Sequence, residues 1–110
     1  GNDDTTIDPL WEPLLRTPGQ PEYPCGHCTV ASVFSTILAA EGKPPPGGLH
    51  FTTEKMPGIS ITVPDWPAYA KAVDQSRIDA GVHFRFTAEA SDPAGQQLGR
   101  MALARLAPLK

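Results

Sequence analysis

Residues 24–42 read PCGHCTVASVFSTILAAEG. Within this stretch Val30, Val33, Phe34, Ile37 and Leu38 recur at steps of three and four, with Ala31, Ala39 and Ala40 between them, which is the spacing of one apolar helix face. A helix over 26–41 follows. Gly42 ends it, and Pro44-Pro45-Pro46-Gly47-Gly48 forbids continuation, because each ring lacks the amide hydrogen and clashes with the preceding turn. Downstream, residues 49–64 carry no helical period. Ile59, Ile61 and Val63 alternate with polar residues as in a strand, but a lone strand finds no partner, so the segment reads as an ordered loop. The next helix starts at Asp65, an N-cap with Pro67 in the first turn; Tyr69, Ala70, Val73 and Ala80 face inward and Gly81 loosens or ends it. A third helix spans 93–107, with Leu98, Met101, Ala102 and Leu106 as its apolar side. Upstream, Pro9, Pro13, Pro18, Pro21 and Pro24 leave room for one short helical turn at Trp11, Leu14 and Leu15, so residues 1–24 read as an extended arm laid on the rest. The expected fold is all-α: about three main helices joined by long proline-rich loops, one domain over 1–110 with a helical core at 25–107.

Composition removes several function classes. A net charge of −3 and the lack of a basic stripe with interleaved aromatics argue against nucleic-acid binding. The longest apolar stretch falls far short of the roughly 18–20 residues a membrane helix needs, so a soluble chain is expected. No signal-peptide pattern is present. The leading Gly1 reads as the scar of a removed upstream segment, and a removed signal would place the protein in the periplasm or outside the cell; the sequence itself assigns no compartment. The two cysteines, Cys25 and Cys28, stand three apart and cannot staple distant segments.

Two stretches carry chemistry. The first is Pro24-Cys25-Gly26-His27 at a helix N-terminus, where unpaired N–H groups and the helix dipole favour an anion. Gly26 lets a ligand approach the backbone, and His27 is the residue type best suited to acid–base work there. The plain alternative is a proline–glycine turn with an incidental histidine. The same residues spell Cys25-Gly26-His27-Cys28, a CxxC of the kind found in dithiol oxidoreductases. Those enzymes set it after a buried strand, which Gln20-Pro21-Glu22-Tyr23-Pro24 is not. A zinc site lacks a second ligand pair. The second stretch runs from Ser76 to Phe86. Arg77 offers a planar fork of donors to oxyanion oxygens. Six residues of unbroken helix turn through about 600°, so Arg77 and His83 share a site only if the chain bends near Gly81. The alternative makes Arg77 a solvated helix charge and His83 a satisfied, partly buried histidine.

Together the two motifs, Pro-x-Gly-His opening a helix and Ser-Arg-x5-His later, resemble the superfamily of vanadium-dependent haloperoxidases and type 2 phosphatidic acid phosphatases. Pro21-Glu22-Tyr23-Pro24, Ala80-Gly81-Val82-His83-Phe84-Arg85-Phe86 and Gly95-x3-Gly99-Arg100 are similar to its bacterial haloperoxidase-like branch, so the resemblance covers roughly residues 10–107. It implies a partial helical bundle of that type. It implies His27 as the acid–base residue, Cys25, Gly26 and Arg77 as oxyanion-binding positions, and His83 as either the vanadate ligand or the nucleophile that becomes phosphorylated. Vanadate is the implied cofactor if the chain is haloperoxidase-like; none is implied if it is phosphatase-like. The implied activity is halide oxidation by peroxide or hydrolysis of phosphomonoesters, and the implied partner is a small oxyanion.

Three departures bear on that activity. Cys25 stands where the family has serine, and a thiol is a weak donor. The phosphatase-type motif continues His-x3-Asp, but position 87 is threonine, which removes the carboxylate that would orient His83; Glu89 is near in sequence. The family's Lys-x6-Arg-Pro motif is absent: Lys43, Lys55, Lys71 and Lys110 do not fit it. Each lost charge-assisted contact weakens anion binding by roughly 1.5–3 kcal/mol. Either a missing upstream segment or another chain completes the pocket, or the domain is a non-catalytic helical binding or assembly module that self-associates through exposed apolar faces. A dithiol redox protein is the third reading.

Overall fold

The computed structural model describes residues 3–106; Gly1 and the expected helix end at 107 lie outside them. The chain forms α1 (Gly26–Glu41), β1 (Leu49–Thr52), β2 (Ser60–Val63), α2 (Trp66–Asp79) and α3 (Arg85–Leu106) in that order. It is mostly helical, as expected. No helix among these residues is long and apolar enough to cross a membrane.

Local chemistry sets most boundaries. Cys25 caps α1 with its sulfur, which accepts from the Cys28 N–H at 3.2 Å. The Gly42 N–H closes the other end on the Leu38 carbonyl. Asp65 caps α2 by accepting from the Ala68 N–H at 2.8 Å, with Pro67 in the first turn. α2 ends at Asp79, and Gly81, at φ +72°, makes the bend that a side chain would strain. On α2, Ala70 is buried and Tyr69 and Val73 half-buried, with Ala80 buried just past its end.

Three expectations are corrected. Residues 49–64 form an antiparallel hairpin rather than a loop: Leu49 pairs with Val63 and Thr52 with Ser60. The partner strand, only four residues long, carries one clear apolar alternation, Leu49 and Phe51. Pairing is reinforced by a 2.8 Å bond between Thr62 Oγ1 and His50 Nδ1, and Phe51 stacks on Tyr69 of α2 at 5.0 Å. α3 starts at Arg85 rather than 93 and carries Pro93 inside it. The proline deprives the Glu89 carbonyl of its donor, but Glu89 is exposed and water is available there. The predicted helical turn at Trp11–Leu15 is absent. Residues 11–15 belong to an irregular arm, held where the Leu15 N–H meets the Ala80 carbonyl and where Trp11 and Pro13 cover Gly81.

The larger correction concerns which helix faces are buried. α1 buries Cys28, Ala31, Ser32 and Ser35, and α3 buries Thr87, Ala88, Ser91, Gly95 and Gly99. Residues 87, 91, 95 and 99 recur every four, making one ridge of small side chains. A Cβ at Gly95 would stand 2.5 Å from the Thr29 carbonyl oxygen and 2.6 Å from Ser32 Cβ; one at Gly99 would stand 2.8 Å from Thr36 Cβ. The backbones therefore approach closely, and the bulky residues expected inside turn outward: Val30, Phe34, Leu98, Met101 and Leu106 are each half exposed or more. Ser32 donates to Asp92 across the same seam.

Gly95→Ala and Gly99→Ala are expected to destabilise the chain by about 1–3 kcal/mol through overpacking, against a helix propensity that favours alanine by ~1 kcal/mol. Phe34→Ser and Leu98→Gln on the outer faces should stay within about 0.5 kcal/mol of the parent. Urea denaturation followed by circular dichroism distinguishes the two pairs.

Candidate functional site

The N-terminus of α1 packs against the chain on both sides of the α2–α3 bend. Cys25 and Cys28 form a buried cluster with Ala88 of α3, and Ile78 of α2 packs on it. The two motif segments are thereby neighbours, although 50 residues separate them. Each side chain's placement then follows from its element. His27 lies exposed in the first turn of α1. Gly26 opens the helix with nothing within 4 Å of where a Cβ would be, so the protein leaves that space free. Arg77 sits in the last turn of α2, half-buried, with a buried Nε that has no hydrogen-bond partner. His83 follows the Gly81 bend. It is 6% exposed, and both ring nitrogens are buried without a formed hydrogen bond. Among the described residues, no hydrogen bond or ion pair joins His27, Arg77 and His83 to one another.

Cys25 differs from expectation. It is bonded to Cys28, and both residues are fully buried. A disulfide sulfur has no hydrogen to donate, so the side chain of Cys25 offers nothing to an oxyanion. Burial also takes the pair out of reach of a substrate thiol, which removes the support for a dithiol oxidoreductase.

A polar relay links the two motifs. The Cys25 N–H donates to Ser91 Oγ at 3.0 Å, and the Ser91 hydroxyl donates to the Thr87 carbonyl at 2.7 Å. The Thr87 hydroxyl donates to Glu22 Oε2 at 2.6 Å. Glu22 Oε1 accepts the Phe84 N–H at 3.0 Å and stands 3.5 Å from His83 Nδ1, a distance at which the attraction is electrostatic rather than a formed hydrogen bond. Desolvation pushes the Glu22 carboxyl up, but Thr87, the Phe84 N–H and His83 together outweigh it and hold the group below its ordinary 4.5. Glu22 was not identified as a site residue from sequence. It lies in the quoted Pro21-Glu22-Tyr23-Pro24 flank, but nothing local ties it to a histidine 61 residues on. Glu89, a carboxylate near Thr87 in sequence, is exposed and lines a different cavity.

Two cavities flank the bend. One, of about 640 Å³, is bordered by His83, Glu22, Trp11, Val82, Phe84 and Arg85. The other, of about 410 Å³, lies between α2 and α3 and includes Lys71, Asp74, Arg85 and Asp92. Desolvation, with Asp92 as a second cause, pushes the Asp74 carboxyl up to about 6. One of its oxygens is buried without a partner.

The family model for the VCPO second helical-bundle domain matches residues 1–109. The chain belongs to that family. Its fold is similar to that of a holo-type bacterial vanadium-dependent chloroperoxidase, with a TM-score of 0.68 and 25% sequence identity over 84% of this chain and 22% of that one. This VCPO-type domain thus spans about a fifth of the chloroperoxidase chain. No curated protein matches it.

In this VCPO-type domain Asp74 binds its proton more tightly when folded than when unfolded. The associated stability is present below its ordinary 3.8 and is lost as pH rises through about 6. Asp74→Asn should therefore stabilise the fold at pH 7 by roughly 1–2 kcal/mol, a discounted share of the shift, and should have little effect below pH 3.8. Chemical denaturation at the two pH values measures the difference.

Proposed function

We propose that this domain contributes one side of the vanadate site of a vanadium-dependent haloperoxidase, with His83 as the vanadate ligand and Arg77 and the first turn of α1 as oxyanion contacts. One observation carries the reading: the Nε2 of His83 and the Nε of Arg77 are buried polar atoms with no hydrogen-bond partner among the described residues. Each such group costs roughly 1–3 kcal/mol unless something satisfies it. A neutral imidazole nitrogen and a guanidinium suit a ligand that is both a Lewis acid and a multiply charged oxyanion. The space beside Gly26 admits such a ligand to the free N–H groups at the head of α1, where the helix dipole adds positive potential.

Bound vanadate would supply the Lewis acidity that activates peroxide toward halide. The chain's own residues bind and move protons. Arg77 would neutralise charge on the oxyanion's oxygens, the Gly26 N–H would hold one of them, and exposed His27 would exchange a proton with solvent. The chloroperoxidase likeness favours this reading over phosphomonoester hydrolysis, as does Thr87 in place of the phosphatase-type aspartate. The cationic Lys-x6-Arg-Pro motif, absent from these 110 residues, would come from elsewhere in a complete protein.

A non-catalytic packing module is the second reading, favoured by one observation. Val30 and Phe34 on α1 and Leu98 and Met101 on α3 leave apolar faces open to solvent, which suits a domain built to be covered by other helices. Self-association of this chain alone is the expectation from that surface.

Calorimetric titration with vanadate separates the readings. The parent chain should bind, and His83→Ala and Arg77→Ala should each weaken binding by roughly 10- to 100-fold, the worth of one charge-assisted contact. Equal, negligible heats in all three chains would leave the packing role as the function of these 110 residues.

A further inference from the structure

We propose that Glu22 is the positioning residue for His83: it holds the proton on Nδ1 and leaves the Nε2 lone pair free for the ligand. This assignment deepens the vanadate-site reading and rests on it for the identity of the ligand, though not for the state of the ring.

The geometry allows one tautomer. Glu22 Oε1 lies 3.5 Å from His83 Nδ1. If Nδ1 carried the lone pair, it would face a carboxylate oxygen in a site where the histidine side chain is only 1% exposed. Two electron-rich atoms in contact within a poorly solvated site repel each other. With the hydrogen on Nδ1 the same contact becomes attractive, and Nε2 becomes the acceptor. Nε2 is itself buried and unpartnered, and His83 borders the 640 Å³ cavity. That is the condition of a nitrogen prepared to bind something.

The Glu22 side chain is 35% exposed, but two further contacts locate its carboxylate. The Phe84 N–H binds the oxygen that faces the ring, and the Thr87 hydroxyl binds the other at 2.6 Å. Phe84 is the neighbour of His83, and Thr87 lies four residues after it. Both donors thus move with the histidine. Thr87 occupies the place where the resemblance expects a carboxylate of its own, and here it recruits one from the arm instead. Glu22 stands three residues before Cys25, so the same contact fixes the first motif relative to the second. In metal sites, such a carboxylate behind a ligating histidine sets ring orientation and raises its donor strength.

The test uses the 110-residue chain labelled with 15N in histidine. Long-range proton–nitrogen spectra recorded across a pH series report which nitrogen carries hydrogen in the neutral ring. The parent should show His83 with hydrogen on Nδ1, the minor form of free histidine in water. Glu22→Ala should shift the ring toward the Nε2–H form, and Thr87→Val, which keeps the carboxylate and loosens it, should give a mixture. Vanadate affinity should fall roughly 10- to 100-fold in Glu22→Ala, and less in Thr87→Val. An Nε2–H ring in the parent overturns the proposal at once, whether or not either variant folds. So does a folded Glu22→Ala chain whose ring and affinity match the parent. If the tautomers behave as expected and no chain binds vanadate, the positioning role stands and the vanadate reading fails.

Discussion

The close approach of α1 and α3 governs the rest of the molecule. Gly95 and Gly99 leave no room for a Cβ against Thr29, Ser32 and Thr36, so the two backbones meet with little between them. Because they meet this closely, short hydroxyls span the gap. Ser91 reaches the Cys25 N–H and Ser32 reaches Asp92. A seam of leucines would hold the helices too far apart for either bond. The consequence on the outside is as strong as that on the inside. Helix faces that use small residues inward turn their large ones outward, and Phe34 and Leu98 end up at least half exposed.

Helix existence and most caps were legible in the sequence because they depend on nearby residues. Asp65, Pro67, Gly42 and Gly81 act within one turn of where they stand, and the structure uses all four as read. Facing was legible on α2, where Tyr69, Ala70 and Val73 turn inward as read, but not on α1 and α3. Periodicity marks the side of a helix that carries bulk, and the usual inference is that bulk goes inward. Here Ala31, Ser32, Gly95 and Gly99 form an equally periodic pattern on the opposite sides, and close packing chose it. The start of α3 was hidden for a related reason. Pro93 reads as a helix start in isolation, while the packing of Thr87, Ala88 and Ser91 holds helix before it. The hairpin was missed because a four-residue partner strand carries too few alternations to register.

At the proposed site, sequence reasoning singled out His83 and Arg77 but not Glu22. His83 and Arg77 were identifiable by type and spacing, and the required bend at Gly81 is present. Glu22 was not, because its role exists only through long-range contact: its partners Phe84 and Thr87 are 62 and 65 residues away. The carboxylates nearest His83 along the chain are Asp79, which is exposed, and Glu89, which faces solvent beside another cavity. Proximity along a helix cannot reveal what an arm brings in from the far end of the sequence.

The cysteine pair bears on the same division between side chain and backbone. A serine at position 25 would present a hydroxyl; Cys25 presents a sulfur already bonded to Cys28. That sulfur accepts the Cys28 N–H and so satisfies one of the four amide donors that open a helix. The Thr29 N–H is satisfied by the Cys25 carbonyl. The donors that remain at the head of α1 are the N–H groups of Gly26 and His27, both on exposed residues. With a disulfide in place of the hydroxyl, the anion contact proposed above falls to those two backbone amides and the helix dipole behind them.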